Sequence, residues 1–286
     1  MSSPLVSIII PLYNQGDYIK EAIESVRSQT YPNWELIIMD DGSTDNGGQI
    51  VQDFARIDSR INLFRQNNSG PSVARNECIS RSNGKYILPL DGDDKIGAKY
   101  LEKAVDYLEN NADCKLVYCL AEKFGEENGI WNLPDYEYDK LLWNNMIFCT
   151  AMYRRSDYNM TNGYNPNMVF GYEDWDFWLS LISPQDNVHK INDVLFFYRI
   201  KSVSRNITML RNNYKESVRQ IFKNHPSLYK DYINDTILLH NELEYKNLEI
   251  KSILAENSNI INSHTFKIGR LVTAPYTFIK KLINHS

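Results

Sequence analysis

Three acidic groupings in this chain could do chemistry. Asp40-Asp41-Gly42-Ser43-Thr44-Asp45 follows an apolar run at residues 36–39, and Asp91-Gly92-Asp93-Asp94 follows another at 86–90. Glu173-Asp174 sits among Phe170, Tyr172, Trp175, Phe177 and Trp178. In the second grouping Asp91 and Asp93 flank a glycine, so both side chains can reach one divalent cation while the backbone turns sharply. An EF-hand fails, because Lys95 and Ile96 stand where an oxygen ligand and the turn glycine are needed. Two protein carboxylates leave most positions around Mn²⁺ or Mg²⁺ open. That suits an ion that also grips substrate phosphates, and it points to a nucleotide substrate. A polar turn is the plain alternative. In the first grouping a turn and helix cap accounts for Ser43, Thr44 and Asp45. Two carboxylates directly after a buried strand need a donor, a cation or solvent against their repulsion, and ligand binding is expected there. In the third, aromatic surroundings desolvate a carboxyl, raise its pKa and fit it to accept a proton; aromatic walls also suit sugar rings. The competing reading makes Trp175, Trp178, Leu179 and Ile182 one core stripe with Asp174 as the helix cap, and the two are compatible.

The elements that must position these residues alternate between two periods. Residues 6–11 and 36–39 are short β-branched apolar runs, and between them Tyr18, Ala22, Ile23 and Val26 recur at helical spacing. Further strands are expected at 61–64 and 86–90, after helices around 50–57 and 73–79. Strands separated by helices imply a parallel sheet, whose sites lie beyond the carboxyl ends of its strands. Neither G-x-G-x-x-G after the first strand nor G-x-x-x-x-G-K-[ST] occurs, so dinucleotide and P-loop readings lose support.

Pro11-Leu12-Tyr13-Asn14, the segment from Asp40 to Asp45, Ala74-Arg75-Asn76, Asp91-Gly92-Asp93-Asp94 and Gly171-Tyr172-Glu173-Asp174 come in a familiar order and spacing. Over residues 4 to about 205 the chain resembles the family 2 inverting glycosyltransferases. The resemblance implies an α/β GT-A fold: a Rossmann-like, mostly parallel central sheet with helices on both faces. It implies a catalytic domain at 1–205 and a helical C-terminal extension at 206–286. By the same resemblance Asp41 would accept a hydrogen bond from the base of a nucleotide diphosphate sugar, and Asp91 would lie near its ribose and the metal. Asp93 would be the principal ligand of Mn²⁺ or Mg²⁺. Pro11, Tyr13, Asn14 and Arg75 would complete the donor side. Asp174, with Glu173 beside it, would be the general base, and Tyr172 and Trp175 would face the acceptor. A UDP-sugar donor and a glycan or lipid-linked acceptor in cell-envelope polysaccharide synthesis are implied. One position departs from the pattern: Lys201 stands where many relatives carry histidine, as a point charge for the diphosphate or as a solvated surface lysine. Two rivals remain, an aspartyl-nucleophile phosphatase and a nucleotide-sugar-binding assembly subunit without catalysis.

Composition limits the remaining classes. The 286 residues, 43% hydrophobic and 23% charged, are ordinary for a globular protein of about two domains. A net charge of −5 leaves no global positive field for nucleic acid. No stretch approaches the roughly 20 apolar residues of a membrane span, and a cytoplasmic location is expected. Cys78, Cys114, Cys119 and Cys149 lack C-x-x-C spacing and are expected as reduced core residues. The C-terminal end is different: Lys267, Arg270, Lys280 and Lys281 occur there without an acid, opposite Ile268, Leu271, Val272, Tyr276, Ile279, Leu282 and Ile283. Residues 265–286 therefore either dock on the protein's own core or make peripheral contact with the inner face of the cell membrane.

Overall fold

The computed structural model describes residues 3–201 and 213–262. Two compact units divide the chain, Met1–Pro226 and Ser227–Ser286. The first opens with β1 (Val6–Leu12), α1 (Ile19–Arg27), β2 (Trp34–Asp40), α2 (Gly47–Ile57), β3 (Ile61–Arg65), α3 (Pro71–Ser80) and β4 (Tyr86–Pro89). Strands β1, β2 and β4 are buried almost throughout, as a parallel sheet covered on both faces requires. Helix α1 buries Ile19, Ala22, Ile23 and Val26, one apolar stripe at a spacing of three to four. Tyr18 stands just outside that stripe, at the N-cap.

β1 pairs in parallel with β2 on one side and β4 on the other, and β2 pairs with β3, giving the local order β3-β2-β1-β4. The chain thus leaves one side of β1 and returns on its other side. Such a reversal opens a crevice at the carboxyl ends of the strands. Leu12 is level with Asp40 there, so Tyr13-Asn14 and Asp41 emerge side by side, and Asp91 follows two residues after β4.

The second half of the sheet is mixed. β5 (Lys95–Ile96), α4 (Tyr100–Asn110), β6 (Cys114–Gly125), β7 (Gly129–Trp131), the short helices α5 (Tyr138–Leu141) and α6 (Arg155–Tyr158) with β8 (Met152–Arg154) between them, α7 (Glu173–Leu181) and β9 (Asn187–Ile200) extend it to nine strands. β6 and β9 are parallel, whereas β8 is antiparallel to both β4 and β6, and β5 is antiparallel to β9. The purely parallel part is therefore the first half. β8 is three residues long and β5 two, too short to carry a legible period of two.

Helix α8 (Tyr214–Asn224) belongs to the first unit. Asn224 Nδ2 donates to Asp176 Oδ1 at 2.6 Å, and His225 Nε2 lies 3.0 Å from the same oxygen. Those contacts to α7 carry the unit past the expected boundary at 205. In the second unit a 30-residue helix, Ile233–Asn262, leaves Leu239, Leu243, Leu248 and Ile253 exposed. No helix among the described residues is long and apolar enough to cross a membrane. The basic stretch at 265–286 lies outside the described residues.

Candidate active site

Two cavities adjoin beyond the carboxyl ends of β1, β2 and β4. The larger, about 710 Å³, is lined by Pro11, Tyr13, Asn14, Asp41, Arg75, Asp91 and Asp93 together with Glu173 and Lys201. The smaller, about 290 Å³, has Asp174, Tyr172, Asn145 and Cys149 on its wall among Trp131, Phe148, Phe170, Phe196 and Tyr198. Arg75, Asp91, Glu173 and Tyr198 border both. Arg75 and Asp91, expected on the donor side, and Glu173 of the acidic pair, far apart in sequence, meet at the shared wall, with Asp174 on the smaller cavity alone.

Local geometry explains each placement. Asn14 turns the chain out of β1 at φ 49°, a left-handed conformation that asparagine tolerates. Its Oδ1 accepts the Thr44 N–H at 2.8 Å, and its own N–H donates to Ser43 Oγ at 3.1 Å, which ties the loops after β1 and β2. The repulsion between Asp40 and Asp41 is met by donors. Asp40 Oδ1 accepts the Ser43 N–H at 2.7 Å. Asp41 Oδ1 accepts from Gln66 Nε2 at 2.7 Å and from the Ser69 N–H at 2.8 Å, and Oδ2 accepts the Gly70 N–H at 2.9 Å. Asp41 therefore fixes the loop before α3 while facing the cavity. Its Oδ2, with one donor, keeps acceptor capacity.

At the shared wall the Arg75 guanidinium is 3% exposed. Its Nη1 donates to Glu173 Oε1 at 2.9 Å and its Nη2 to Asp91 Oδ1 at 2.6 Å. Burial opposes the charge of Arg75, but Asp91 and Glu173 hold it protonated, well above the ordinary arginine range. Glu173, 5% exposed, is thus a counter-ion beneath the site.

Asp174 is the second residue of α7. It is not the helix cap: the N-cap is Tyr172 at φ 63°, behind Gly171 at φ 99°. Two successive left-handed residues turn the chain sharply into the helix and set the acidic pair against the cavities. Asp174 Oδ1 accepts the Trp175 N–H at 2.8 Å, and Oδ2 accepts from Asn145 Nδ2 at 3.0 Å. Burial and the neighbouring Glu173 charge push its pKa up to about 6. Trp175 is a core residue instead of a wall for the acceptor, being 2% exposed with its indole N–H donating to the Leu141 carbonyl at 2.7 Å. Cys149, expected in the core, is half-buried on the smaller cavity's wall with Sγ 3.8 Å from Asp91 Oδ2.

The turn after β4 is crowded. Asp93 Oδ1 accepts from Gln15 Nε2 at 3.0 Å, and its Oδ2 is paired with the Lys201 ammonium. Burial and the Asp91 charge raise the pKa of Asp93, against the pull of Lys201. Asp94 is fully buried, with Oδ1 accepting the Arg199 N–H at 2.8 Å and Oδ2 without a hydrogen-bond partner. Burial and its two acidic neighbours push its pKa well up. Asp91, Asp94 and Cys149 bring one possible ligand atom each within 4.8 Å of the others. Burial also pushes the Cys149 thiol up, and a protonated thiol suits a hard cation less well than carboxylate oxygens do. The oxygens of Asp91 and Asp93 on the larger cavity are the better match for Mn²⁺ or Mg²⁺. Lys201 is neither free nor solvated at 22% side-chain exposure, and nothing in its local sequence signals the pairing. Asn145, which holds Asp174, and the aromatic wall of Trp131, Phe148 and Tyr198 are equally silent in the sequence, because they come from β-strands and loops joined only by the fold.

Comparison with known proteins gives the family and the fold. A putative teichuronic acid biosynthesis glycosyltransferase, TuaG, of Bacillus subtilis is 35% identical over 71% of this chain and 82% of its own length. A putative glycosyltransferase, EpsE, of the same organism is 33% identical over 69% and 74%. The chain spans only 61% of another relative there, the uncharacterized glycosyltransferase EpsJ. Among solved structures, S. aureus TarS 1–349 in complex with UDP-GlcNAc superposes with a TM-score of 0.61 at 20% identity, over 77% of this chain and 66% of that one. A mannosyltransferase from Pyrobaculum calidifontis, PcManGT in complex with GDP-Man and Mn²⁺, superposes at 0.58 and 18% identity, over 96% and 85%. Likenesses at that identity establish the GT-A fold alone. Residues 7–175 match the Glycosyl transferase family 2 profile, and with the relatives above this shows that the chain belongs to the family 2 glycosyltransferases.

Proposed function

We propose that the chain transfers a sugar from a nucleotide diphosphate sugar, of the UDP class, to an acceptor hydroxyl with inversion at the anomeric carbon. The donor occupies the larger cavity and the acceptor the smaller. The single observation that carries this reading is the shared wall of Arg75, Asp91 and Glu173, with Asp174 beside it on the acceptor side. Asp174, with a pKa of about 6, is ionised at neutral pH and accepts the proton of the attacking hydroxyl. Asn145 orients that carboxylate, and Arg75, held by Glu173, fixes Asp91 on the donor side. Asp41 meets the base through its remaining acceptor capacity, and Pro11, Tyr13 and Asn14 border the same pocket. No covalent enzyme intermediate is involved.

Asp93, with Asp91, would hold Mn²⁺ or Mg²⁺; the oxygen-only pair and the cation already seated on Asp93 Oδ2 support the fit. Such an ion neutralises developing charge on the leaving diphosphate. An aspartyl-nucleophile phosphatase would leave Asp174 and its aromatic cavity without use. A subunit without catalysis would not need a raised, cavity-facing carboxyl.

The relative named for teichuronic acid biosynthesis, and the TarS complex with UDP-GlcNAc, support a UDP-sugar donor and a glycan or lipid-linked acceptor in polysaccharide synthesis at the cell envelope. Peripheral membrane contact through 265–286 belongs to the same reading. Its test is sedimentation with anionic liposomes, where truncation after Ser263 should reduce binding and salt should weaken it. Equal sedimentation of full-length and truncated chains would remove it. The donor assignment is tested by calorimetry with UDP and Mn²⁺: wild type should bind both together, and UDP binding that ignores Mn²⁺ and every substitution in the larger cavity would reject it.

A further inference from the structure

We propose that Lys201 is a built-in cation of the donor site, which holds Asp93 until a divalent ion takes its place and whose ammonium then serves the diphosphate. The proposal rests on the donor-site reading above. Three carboxylates, those of Asp91, Asp93 and Asp94, are concentrated in one turn, and Asp93 itself is only 16% exposed. Its Oδ1 accepts from Gln15 and its Oδ2 from Lys201, so an ion arriving at Oδ2 meets the like charge of the ammonium there.

The backbone leading to that lysine is pinned by the bonds of its neighbour Arg199. Arg199 N–H donates to Asp94 Oδ1 at 2.8 Å, and Arg199 Nε donates to the Asp93 carbonyl at 2.9 Å. These bonds dock the end of β9 on the turn. Lys201 is the next residue after that strand, and its ammonium lies 4.8 Å from the Tyr18 ring centroid. It also borders the larger cavity. A four-carbon stem with a compact charged head can move from carboxylate to phosphate by rotamer changes alone, where a guanidinium fork would be tied to one geometry. A metal-free site thus presents a positive charge to the phosphates, and it presents Mn²⁺ with an occupied carboxylate.

The test is calorimetry on the full chain with Mn²⁺ alone and with UDP in EDTA, comparing wild type, Lys201→Gln and Lys201→Arg. With the charge removed, Lys201→Gln should bind Mn²⁺ alone at least about tenfold more tightly, because Asp93 is vacated and the like charge is gone. In EDTA the same variant should bind UDP at least about tenfold more weakly. Lys201→Arg keeps the charge and should bind Mn²⁺ as wild type does, which separates charge from local disturbance. If Lys201→Gln binds both ligands as wild type does while UDP with Mn²⁺ still binds, the lysine role is overturned and the donor site stands. Tightening by Lys201→Arg equal to that by Lys201→Gln would also overturn it. If no protein binds UDP under either condition, the donor-site reading fails and this proposal with it.

Discussion

Arg75 donates to Glu173 across 98 residues of sequence, Nη1 to Oε1 at 2.9 Å, with both side chains buried. This pair welds α3 to the start of α7, and so sets the donor side of the site against the acceptor side. Removing one partner of a buried ion pair leaves an uncompensated charge. Glu173→Ala should therefore cost about 3 kcal/mol, the low end for such breaks because Asp91 remains on Arg75. Urea denaturation checks it, and a loss under about 0.5 kcal/mol would make the pair incidental.

The same relationship has a titration consequence. Glu173 raises the pKa of Asp174, second only to burial, and Arg75 lowers it. Glu173→Gln should move the acid limb of the rate profile to lower pH. A limb that stays in place or moves up would exclude Glu173 as the source of the shift.

Asp174 acts as a base only when ionised, so transfer should rise with pH through about 6 and fall about tenfold per unit well below it. Stability runs the other way. The folded-state pKa is raised above the ordinary 3.8, so protonation favours the fold: that contribution is full below 3.8 and is lost as pH rises through about 6. Rate and stability measured across pH 4–8 should therefore change in opposite directions at this group, and a rate limb without a step near 6 would count against Asp174.

Asp93→Ala should abolish Mn²⁺-dependent binding of UDP without unfolding the chain, since the turn after β4 retains its backbone bond from the Asp94 N–H to the Asp91 carbonyl. Calorimetry with UDP and Mn²⁺ is the check. Unchanged affinity would discard Asp93 as a metal ligand.

Trp175 and Tyr172 separate packing from recognition. Trp175→Phe keeps most of the buried ring and loses one hydrogen bond to Leu141, so it should cost about 1 kcal/mol in stability and leave the acceptor KM unchanged. Tyr172→Ala, on the cavity wall, should raise the acceptor KM by severalfold. The reverse pattern would return Trp175 to the acceptor wall.

What was legible in the sequence follows from range. The β1-α1-β2 unit and β3, α3 and β4 could be read because short apolar runs alternate there with stretches of helical spacing, and the carboxyl ends of those runs predicted where Asp41 and Asp91 would stand. The site's supports were not legible. Asn145 reaches Asp174 from a loop 29 residues away, and Lys201 reaches Asp93 from 108 residues away, neither within a periodic element that announces it. Trp175 was misplaced because an aromatic beside a candidate base has the same composition in a core as on a wall; only its indole bond to Leu141 decides. Asp174 read as a cap because Gly171 and Tyr172 take the left-handed turn that starts the helix two residues sooner.

The most direct test of the account is the anomeric configuration of the product. Wild type and Asp174→Asn are incubated with Mn²⁺, UDP-α-glucose or UDP-α-N-acetylglucosamine, and a panel of p-nitrophenyl glycosides, and the new linkage is read by proton NMR. Wild type should form a β-linked product, and Asp174→Asn should form it at least about a hundredfold more slowly while still binding UDP. An α-linked product, or wild-type turnover by Asp174→Asn, would contradict the account.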